Sequence, residues 1–345
     1  MIVPAEEARN LATQVLRLHG TPETHAEIQA DLLLEAELRG YASHGLLRLP
    51  RIVERIRNGV ADPSAVGLSQ WVHPGFLRVD GQRGLGPVIA LRGLDEISER
   101  ARQIGIAVAA VDNSNHIGML AWYAERIAAA GQIALCFSTS EALVHPWGGR
   151  RAMIGTNPIA IGVPARPHPF VMDMATSLVA MGKIYDHANR AQAIPSHWAL
   201  DRHGKPTTDP EAAKAGAIAP FGDAKGYALG LAFELLVSAL AGSALGQSVQ
   251  GTLDSTKVCN KGDVFIVISP DIETETADEL SRYLNAVRNC PPIDGFSAVT
   301  VPGDRSRASR VERLTAGISL PDEVWGELLE LAGAQHQKRD QGTLQ

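Results

Sequence analysis

The sequence predicts an α/β fold with helical segments at both ends of the chain. Residues 1 to about 58 have helical periodicity, residues from about 70 onward alternate between strand and helix patterns, and helical signals return after about residue 305. The chain has 345 residues, of which 45% are hydrophobic, so it is long enough to bury a full core. We therefore divide it into residues 1–70, residues 71–304 and residues 305–345.

The N-terminal part contains two predicted helices. The first begins after Thr21, because the proline that follows is tolerated in the first turn of a helix, and it ends at Gly40. Apolar residues recur every four positions from Ile28 to Ala36, which gives this helix one apolar face. The second helix is predicted over residues 50–58.

The middle of the chain contains the strand patterns of the predicted sheet. Residues 76–80, F-L-R-V-D, alternate in polarity, and residues 105–112, G-I-A-V-A-A-V-D, are apolar and partly β-branched. Residues 87–102 between them have the pattern of a helix. Further strands are predicted at Ile133–Ser138, Ile159–Val163, Phe170–Met172 and Val264–Ile268.

The C-terminal part is predicted to be helical again. The segment P-D-E-V-W-G-E-L-L-E-L-A places Val324, Leu328 and Leu331 along one face. We expect this helix to pack beside the N-terminal helices and to close a small helical domain made from both chain ends. Residues 334–345 are polar and are predicted to form a solvated tail.

Charge and cysteine content narrow the class of protein. A net charge of -6 and a sequence pI near 6.0 provide no basic surface for nucleic acid. The apolar runs are too short or too interrupted to span a bilayer, and the N-terminus lacks the pattern of a signal peptide, so we expect a cytoplasmic location. The three widely spaced cysteines argue against a disulfide framework and against a zinc site, and no metal is expected.

One segment imitates a Rossmann dinucleotide site without meeting its requirements. The strand at 76–80 is followed by G-Q-R-G-L-G, a helix and a strand that ends in Asp112. In a Rossmann site, Gly84 and Gly86 would be followed by a small residue for close packing of the helix, but here the residue is Ile89. Patterns for a phosphate loop, a zincin, an EF-hand and a nucleophile elbow are also missing from the sequence.

His116 is the leading candidate for acid–base chemistry. It follows Asn113, Ser114 and Asn115, which are all good helix N-cap residues, so we expect His116 at the positive end of a helix that stops at Gly131. That location favours neutral imidazole, which can take a proton from an alcohol near neutral pH and return it in the reverse direction. The alternative is that His116 only satisfies backbone groups at a corner between a strand and a helix.

Other segments supply polar groups that a catalytic site needs. His44 and Arg48 are four residues apart and would share one face if that segment is helical; Arg48 can then bind a carboxylate in fork geometry. Residues 155–158, G-T-N-P, form a predicted turn into a strand, and residues 173–177, D-M-A-T-S, lie at a predicted helix start that suits pyrophosphate. Lys225 opens an apolar helix. Taken singly, each of these features also has a structural explanation. His44 and Arg48 would be a surface pair, residues 155–158 an ordinary turn, residues 173–177 a helix N-cap, and Lys225 a solvated lysine.

Together these motifs resemble the type 2 malate/L-lactate dehydrogenase family. The resemblance rests on S-H-G-x-x-R-x-P from residue 43, N-S-N-H-x-G from 113, G-T-N-P-I-A from 155, D-M-A-T-S from 173 and G-x-x-K-G from 222, in order from about residue 10 to about residue 330. The family also contains sulfolactate and ureidoglycolate dehydrogenases, 2,3-diketogulonate reductase and a reductase of Δ1-piperideine-2-carboxylate. It implies a non-Rossmann nicotinamide-binding α/β domain, a helical domain from both termini, and a homodimer.

The resemblance also implies roles for individual residues. His116 becomes the acid/base, and Arg48 the partner of the substrate carboxylate. The implied substrate-contact residues are His44, Arg48, Ser140, Thr156 and Asn157, and the implied cofactor-contact residues are Met174, Ala175, Thr176, Lys225, Pro302, Gly303 and Asp304. The segment S-T-S-E-A-L at 138–143 departs from the Asn-Thr or Asn-Ser of several relatives, and the basic run D-R-S-R after Gly303 is compatible with the 2′-phosphate of NADP.

The sequence thus predicts an NAD- or NADP-dependent oxidoreductase that interconverts a 2-oxo acid and its 2-hydroxy acid. Hydride transfer needs no metal, because the cofactor carries the hydride and the protein supplies orientation and a proton. Two alternatives remain open. The same arginine would serve a reductase of a cyclic imine carboxylate, and a catalytically idle protein that binds a carboxylate metabolite would keep the same fold.

Overall fold

The computed structural model describes residues 1–270 and 274–333. The solvated tail predicted at 334–345 lies outside these residues. The helices are α1 (Ala5–Leu18), α2 (Glu23–Leu38), α3 (Leu49–Arg57), α4 (Gly86–Ile104), α5 (Ala121–Ala129), α6 (Met181–Asn189), α7 (Pro210–Lys214), α8 (Ala224–Ala241), α9 (Thr274–Arg288), α10 (Asp304–Ala316) and α11 (Asp322–Leu331). The strands are β1 (Ile2–Val3), β2 (Leu68–His73), β3 (Phe76–Asp80), β4 (Ile106–Asp112), β5 (Ile133–Ser138), β6 (Ile159–Val163), β7 (Phe170–Met174), β8 (Ala199–Leu200), β9 (Ala217–Ile218), β10 (Asp263–Ile268) and β11 (Ile318–Ser319).

A mixed sheet of seven strands forms the centre of the α/β fold, as the sequence predicts. Its order is β2-β3-β4-β10-β5-β6-β7. Only the β3–β4 pair is parallel, with α4 as the crossover between the two strands, and the other neighbouring pairs are antiparallel. The predicted strands all exist, and β3, β5 and β6 have the predicted bounds. Strand β2 was not predicted, because its side chains are largely exposed and leave little polarity pattern.

The two chain ends meet. Strand β1 pairs antiparallel with β11, and the apolar faces of α1, α2, α3 and α11 share one buried cluster that includes Val3, Leu16, Leu33 and Leu328. Helix α10 is tied to α2 by an ion pair between Arg310 and Glu35. These contacts place α2 between the helical cluster and the sheet, where it forms part of the wall of the site described below.

Contrary to the expectation that every apolar run is too short or too interrupted, helix α8 is long and apolar enough to cross a membrane by length and composition alone. Its inner face packs on the sheet through Val237 and Ala241. Its buried Glu234 accepts hydrogen bonds from the backbone N–H of Gly155 and from the side chain of Asn157. Leucines on its outer side, among them Leu235 at 52% exposure, have no covering element among the described residues.

Candidate active site

Two adjoining cavities share one wall, and that wall carries His44, Arg48 and His116. We call the larger one the front cavity; it encloses about 1230 Å³, counting space open to solvent, and its further lining includes Leu120, Ser138, Ser140, Thr156, Met174 and Ala175. We call the smaller one the back cavity; it measures about 520 Å³, again counting space open to solvent, and its further lining includes Leu32, Arg51, Ile52, Arg55, Leu85 and Thr252.

The segment that carries His44 and Arg48 is not one helical face, as the spacing suggested. It consists of two 3₁₀ turns, Ala42–His44 and Leu46–Arg48, separated by extended Gly45. The buried carboxylate of Glu37 accepts the backbone N–H of Leu46 at 2.8 Å. A Cβ at position 45 would overlap this carboxylate, so a larger residue there would displace Glu37 from Leu46. Burial raises the pKa of Glu37 to about 7.

The segment that carries His116 is irregular from residue 113 to residue 120, and the predicted N-cap role of Asn113, Ser114 and Asn115 is wrong. Asn115 instead accepts a hydrogen bond from Arg55 at 2.9 Å and donates to the carbonyl of Gly84 at 2.9 Å. Helix α5 begins only at Ala121.

The positive end of α5 faces a carboxylate rather than the histidine. The N–H of Ala121 donates to Asp173 at 2.7 Å. Burial raises the pKa of Asp173 to about 6. The macrodipole of α5 is therefore matched by Asp173 and does not set the protonation state of His116.

His116 is nevertheless held neutral, by a different cause from the predicted one. Burial lowers its pKa well below the ordinary value, and the positive charge of Arg48 lowers it further. The Nδ1 atom of His116 accepts the backbone N–H of Gly118 at 3.0 Å. Because Nδ1 is the acceptor, the proton of the neutral ring lies on Nε2.

His44 lies beside His116, with ring centroids 5.4 Å apart. Burial and the charge of Arg48 lower the pKa of His44 to about 4. Its Nδ1 atom is 2.9 Å from the hydroxyl of Ser43, which can either donate to the ring or accept from it. Arg48 donates from Nε to the carbonyl of Ser43 at 2.8 Å, and burial lowers its pKa to about 10. The three side chains thus form one compact and desolvated group.

The predicted substrate-contact residues beyond this group divide into two sets. Ser140 and Thr156 line the front cavity, where the Ser140 hydroxyl accepts the backbone N–H of Thr156 at 2.9 Å. Asn157 is fully buried and does not line either cavity. Its side chain donates to the carbonyl of Gly230 and to Glu234, so it holds the turn against α8.

The predicted cofactor-contact segment D-M-A-T-S does not start a helix. Asp173 and Met174 end strand β7, and the next helix, α6, begins only at Met181. Met174 and Ala175 line the front cavity. Thr176 is buried and donates its hydroxyl to the carbonyl of Thr156 at 2.9 Å, which joins the two loops at the cavity floor.

Two further cofactor predictions lie away from the front cavity. Lys225 is exposed in the first turn of α8. The turn Pro302–Asp304 leads into α10, and Asp304 accepts hydrogen bonds from Arg288 and Arg307, which hold its pKa far below its usual range. Neither Lys225 nor this turn lines the front cavity.

The Rossmann-like segment fails for a reason that the structure makes visible. The parallel β3–α4–β4 unit exists, but the first turn of α4 packs directly on the backbone of Asn115 and His116. A Cβ at Gly86 would overlap the carbonyl of His116. The glycine therefore lets the His116 segment approach the first turn of α4 closely.

Sequence reasoning missed the buried charges around the site. Glu37 and Asp173 are described above, and behind His116 Lys261 forms a buried ion pair with Asp263. The Ser138 hydroxyl donates to Asp263 at 2.6 Å, and the charge of Lys261 contributes to the lowered pKa of His116. Asp173 lies inside a motif that the sequence analysis had noted, but nothing in the sequence indicated that it would be buried.

Comparison with known proteins places the whole chain in one family. The family model of malate/L-lactate dehydrogenase matches residues 3–329. The L-sulfolactate dehydrogenase of Methanocaldococcus jannaschii is 34% identical over 334 residues, which cover 96% of each protein, and its solved structure superposes with a TM-score of 0.90.

Other solved structures agree. A dehydrogenase from Sinorhizobium meliloti is 52% identical, with a TM-score of 0.93 and coverage of 96% of this chain and 98% of that one. The Δ1-piperideine-2-carboxylate reductase of Pseudomonas syringae is 31% identical, with a TM-score of 0.85 and coverage of 96% and 99%. These matches confirm both the predicted resemblance and the predicted enzyme class, and the chain therefore belongs to the malate/L-lactate dehydrogenase family of NAD(P)-dependent oxidoreductases.

Proposed function

We propose that this enzyme interconverts a 2-oxo acid and its 2-hydroxy acid, with His116 handling the proton and Arg48 holding the carboxylate. The observation that carries this proposal is the shared wall, where both side chains and His44 face the same two cavities. A reacting carbon beside His116 would lie within reach of the front cavity, whose lining also includes residues 174–175 and 138–140.

Arg48 is suited to the carboxylate because it lines both cavities, with the charge of Glu141 nearby but not paired with it. Among the described residues it has no salt bridge, and its Nε bond to the carbonyl of Ser43 fixes the orientation of the guanidinium. A planar guanidinium binds a carboxylate through two parallel hydrogen bonds, which fixes C2 of the substrate as well as its charge. The bound carboxylate would also offset the charge that lowers the pKa of His116.

His116 is suited to the oxygen at C2. In the free enzyme Nδ1 of His116 accepts the N–H of Gly118, so Nε2 is the atom that donates to the ketone oxygen. To act as the acid, the ring must first take up a second proton, which the carboxylate bound at Arg48 favours; Nε2 then hands a proton to the developing alkoxide and the ring ends neutral. His44 lies next to it, and the Ser43 hydroxyl tolerates either protonation state of His44. We infer that His44 passes a proton from solvent to His116 before reduction, and that the direction is reversed during oxidation of the alcohol.

The front cavity fits a nicotinamide ring and the chain that follows it. When bound, the nicotinamide supplies or accepts the hydride at C2. Met174 and Ala175 offer a small, largely apolar surface, and Ser140 and Thr156 add hydroxyls to the lining of the same cavity. Because the first turn of α4 is filled by the His116 segment, we propose that the cofactor site is of a non-Rossmann type. Thr176, Lys225 and residues 302–304 stay predictions for cofactor contacts.

We also propose a homodimer in a reducing cytoplasm. The exposed leucines of α8 and the family resemblance support a second copy as the partner of that helix, and light scattering should give twice the chain mass of 36.8 kDa. Cys136, Cys259 and Cys290 are free thiols, which supports the compartment. For the domains, we keep residues 1–70 and 305–345 as the helical unit and residues 71–304 as the cofactor-binding and dimerisation unit.

A screen of 2-oxo acids and cyclic imine carboxylates with NADH and NADPH tests the proposed reaction. We expect loss of nicotinamide absorbance with a 2-oxo acid, and we expect Arg48→Ala to raise KM at least tenfold with a smaller change in kcat. Faster turnover of a cyclic imine than of every 2-oxo acid would favour the reductase alternative. Binding of a carboxylate without turnover of any compound would favour the idle protein.

A further inference from the structure

The back cavity connects the two histidines to solvent without passing through the front cavity. His44 and His116 line both cavities. Arg51 also lines the back cavity and is itself exposed, so the back cavity reaches the protein surface beside α3. When substrate and nicotinamide fill the front cavity, the back cavity therefore still leads from the two rings to solvent.

Gln29 is an unpaired polar group in the wall of the back cavity. It lies in α2, is only 3% exposed and lines the cavity. None of the hydrogen bonds within the described part of the chain involves its side-chain amide, whereas the amide of Asn115 in the same lining is bonded to Arg55 and to the carbonyl of Gly84. A buried amide without a protein partner is costly unless water supplies its hydrogen bonds.

The size and the charge of the back cavity suit water. Its volume of about 520 Å³, counting space open to solvent, compares with roughly 30 Å³ for one molecule of liquid water. Arg55, also in the lining, has a buried Nη2 without an acceptor among the described residues. The positive charge of Arg55 is opposed by the nearby charges of Asp254 and Glu141, so the cavity does not require an anion. Water can accept from a guanidinium and can both donate to and accept from an amide.

The proposed reaction needs such a connection to solvent. Each reduction of a 2-oxo acid takes one hydride from the nicotinamide and one proton from solvent. His44 can take this proton from a water in the back cavity, and the hydroxide that remains is neutralised by successive proton transfers from one water to the next, out to bulk solvent. The charge of Arg48 beside the ring stabilises the hydroxide during these transfers. Oxidation of the alcohol reverses every transfer.

We propose that the back cavity is a water-filled proton path between solvent and the two histidines, and that Gln29 is a positioning residue that anchors its water. This inference rests on the proposed function, because the path supplies the proton that His44 passes to His116. A substrate side chain is the competing occupant of the same space, and the experiments below distinguish it from water.

Two variants test the proton path by kinetics, with the 2-oxo acid that is turned over fastest. Ile52→Phe narrows the cavity, and Gln29→Met removes the amide with little change in size. We expect each variant to lower kcat for reduction roughly tenfold, to increase its solvent deuterium isotope effect, and to change KM by no more than about twofold, because proton delivery becomes rate-limiting while binding is unaffected.

Each variant has a matched control outside both cavities. Ile56→Phe makes the same change in size on the same helix. Gln132→Met removes a buried amide that is bonded to Ser98. Both controls should keep the wild-type kcat and isotope effect, even where the melting temperature falls.

A crystal structure of the wild-type enzyme gives a measurement that does not depend on turnover. We expect ordered water within hydrogen-bonding distance of the Gln29 amide, and we expect Gln29→Met to lose it. An unchanged kcat and isotope effect in both variants, or a back cavity without water in the crystal structure, would overturn the proton path and leave the proposed reaction intact.

Two other outcomes have different consequences. If Ile52→Phe raises KM for a long-chain 2-oxo acid but not for pyruvate, without a larger isotope effect, the cavity holds the substrate side chain and the proton path is overturned. Failure of the wild-type enzyme to turn over any 2-oxo acid would instead overturn the proposed function.

Discussion

Two segments bring a histidine to the shared wall, and they hold it in different ways. Residues 43–48 carry His44, and residues 113–120 carry His116. Both segments rest on α2 through a glycine: Gly45 lies against Glu37 and Gly118 lies against Leu32. The same helix therefore sets the position of both rings, which explains how two irregular segments far apart in sequence place their side chains in a fixed relation.

The hydrogen bonds to the two rings differ in kind. His116 receives a backbone N–H, a group that only donates, so its Nδ1 stays an acceptor. His44 contacts the Ser43 hydroxyl, which donates or accepts. In the free enzyme one ring is thus fixed as the Nε2 tautomer, whereas the hydroxyl partner of the other ring fits either tautomer. This difference supports separate roles for the two rings, proton donation to the substrate oxygen for His116 and resupply for His44.

The largest expected effect separates these two roles. His116→Ala should lower kcat roughly a thousandfold with a modest change in KM, because it removes the group that donates to the reacting oxygen. His44→Asn should lower kcat less, roughly tenfold, and should alter the pH dependence of kcat. Steady-state kinetics with a 2-oxo acid between pH 5 and pH 9 measures both.

The relative size of the two losses decides the assignment. A larger loss in His44→Asn than in His116→Ala would exchange the roles of the two histidines. Similar melting temperatures for both variants and the wild type are the necessary control, since both histidines are partly buried among other site residues.

The sheet was far more predictable than the two segments. Strands such as β4 and β10 are buried through most of their length, so apolar and β-branched runs mark them clearly in the sequence. The helix breaker Gly40 and the apolar spacing in α2 were equally informative. Local sequence patterns describe these elements because burial of one continuous face dictates their composition.

The site was predictable only in its residue types. The motifs indicated His44, Arg48 and His116, but Asn115 was expected to cap a helix, whereas it bonds to Arg55 from α3. That contact joins residues 60 positions apart, and no local pattern encodes it. The acids Glu37 and Asp173 were missed for the same reason, because their burial depends on segments that fold over them from elsewhere in the chain.

The buried acids beneath the two segments give the second prediction. The pKa of Glu37 is raised from 4.5 to about 7, so the folded protein holds this proton more tightly than the unfolded chain does. The free energy of unfolding should therefore fall by about 3 kcal/mol as the pH rises through this window, and then level off. Glu37→Gln stays neutral and should lack this loss, which urea unfolding at pH 5 and pH 8 would measure.

Asp173 provides the comparison for Glu37. Its pKa is raised from 3.8 to about 6, so its contribution to the free energy of unfolding should be lost at lower pH than the contribution of Glu37. Asp173→Asn should abolish the decrease at lower pH, and Glu37→Gln the decrease at higher pH. An identical pH dependence of unfolding in the wild type and in Glu37→Gln would contradict the buried, proton-holding state of Glu37.

The smallest effect concerns the glycine of the His116 segment. Gly118 has a φ of 74°, and a Cβ there would overlap the side chain of Leu32. Gly20 has a φ of 86° but no atom within 4 Å of an added Cβ, so Gly20→Ala measures the backbone cost alone. We expect Gly118→Ala to lose about 2 kcal/mol more than Gly20→Ala, because only Gly118→Ala adds overpacking to the left-handed strain.

Measurement of kcat shows whether the strain in Gly118→Ala also changes the position of the His116 ring. The N–H of Gly118 is the donor that fixes Nδ1 of His116, so a shift of this backbone away from Leu32 should lower kcat as well as stability. Gly20 lies between α1 and α2, far in sequence from the two segments of the shared wall. Gly20→Ala should therefore lower stability without changing kcat. Equal melting temperatures for the two variants would show that Leu32 moves aside freely, and α2 would then not be the element that positions His116.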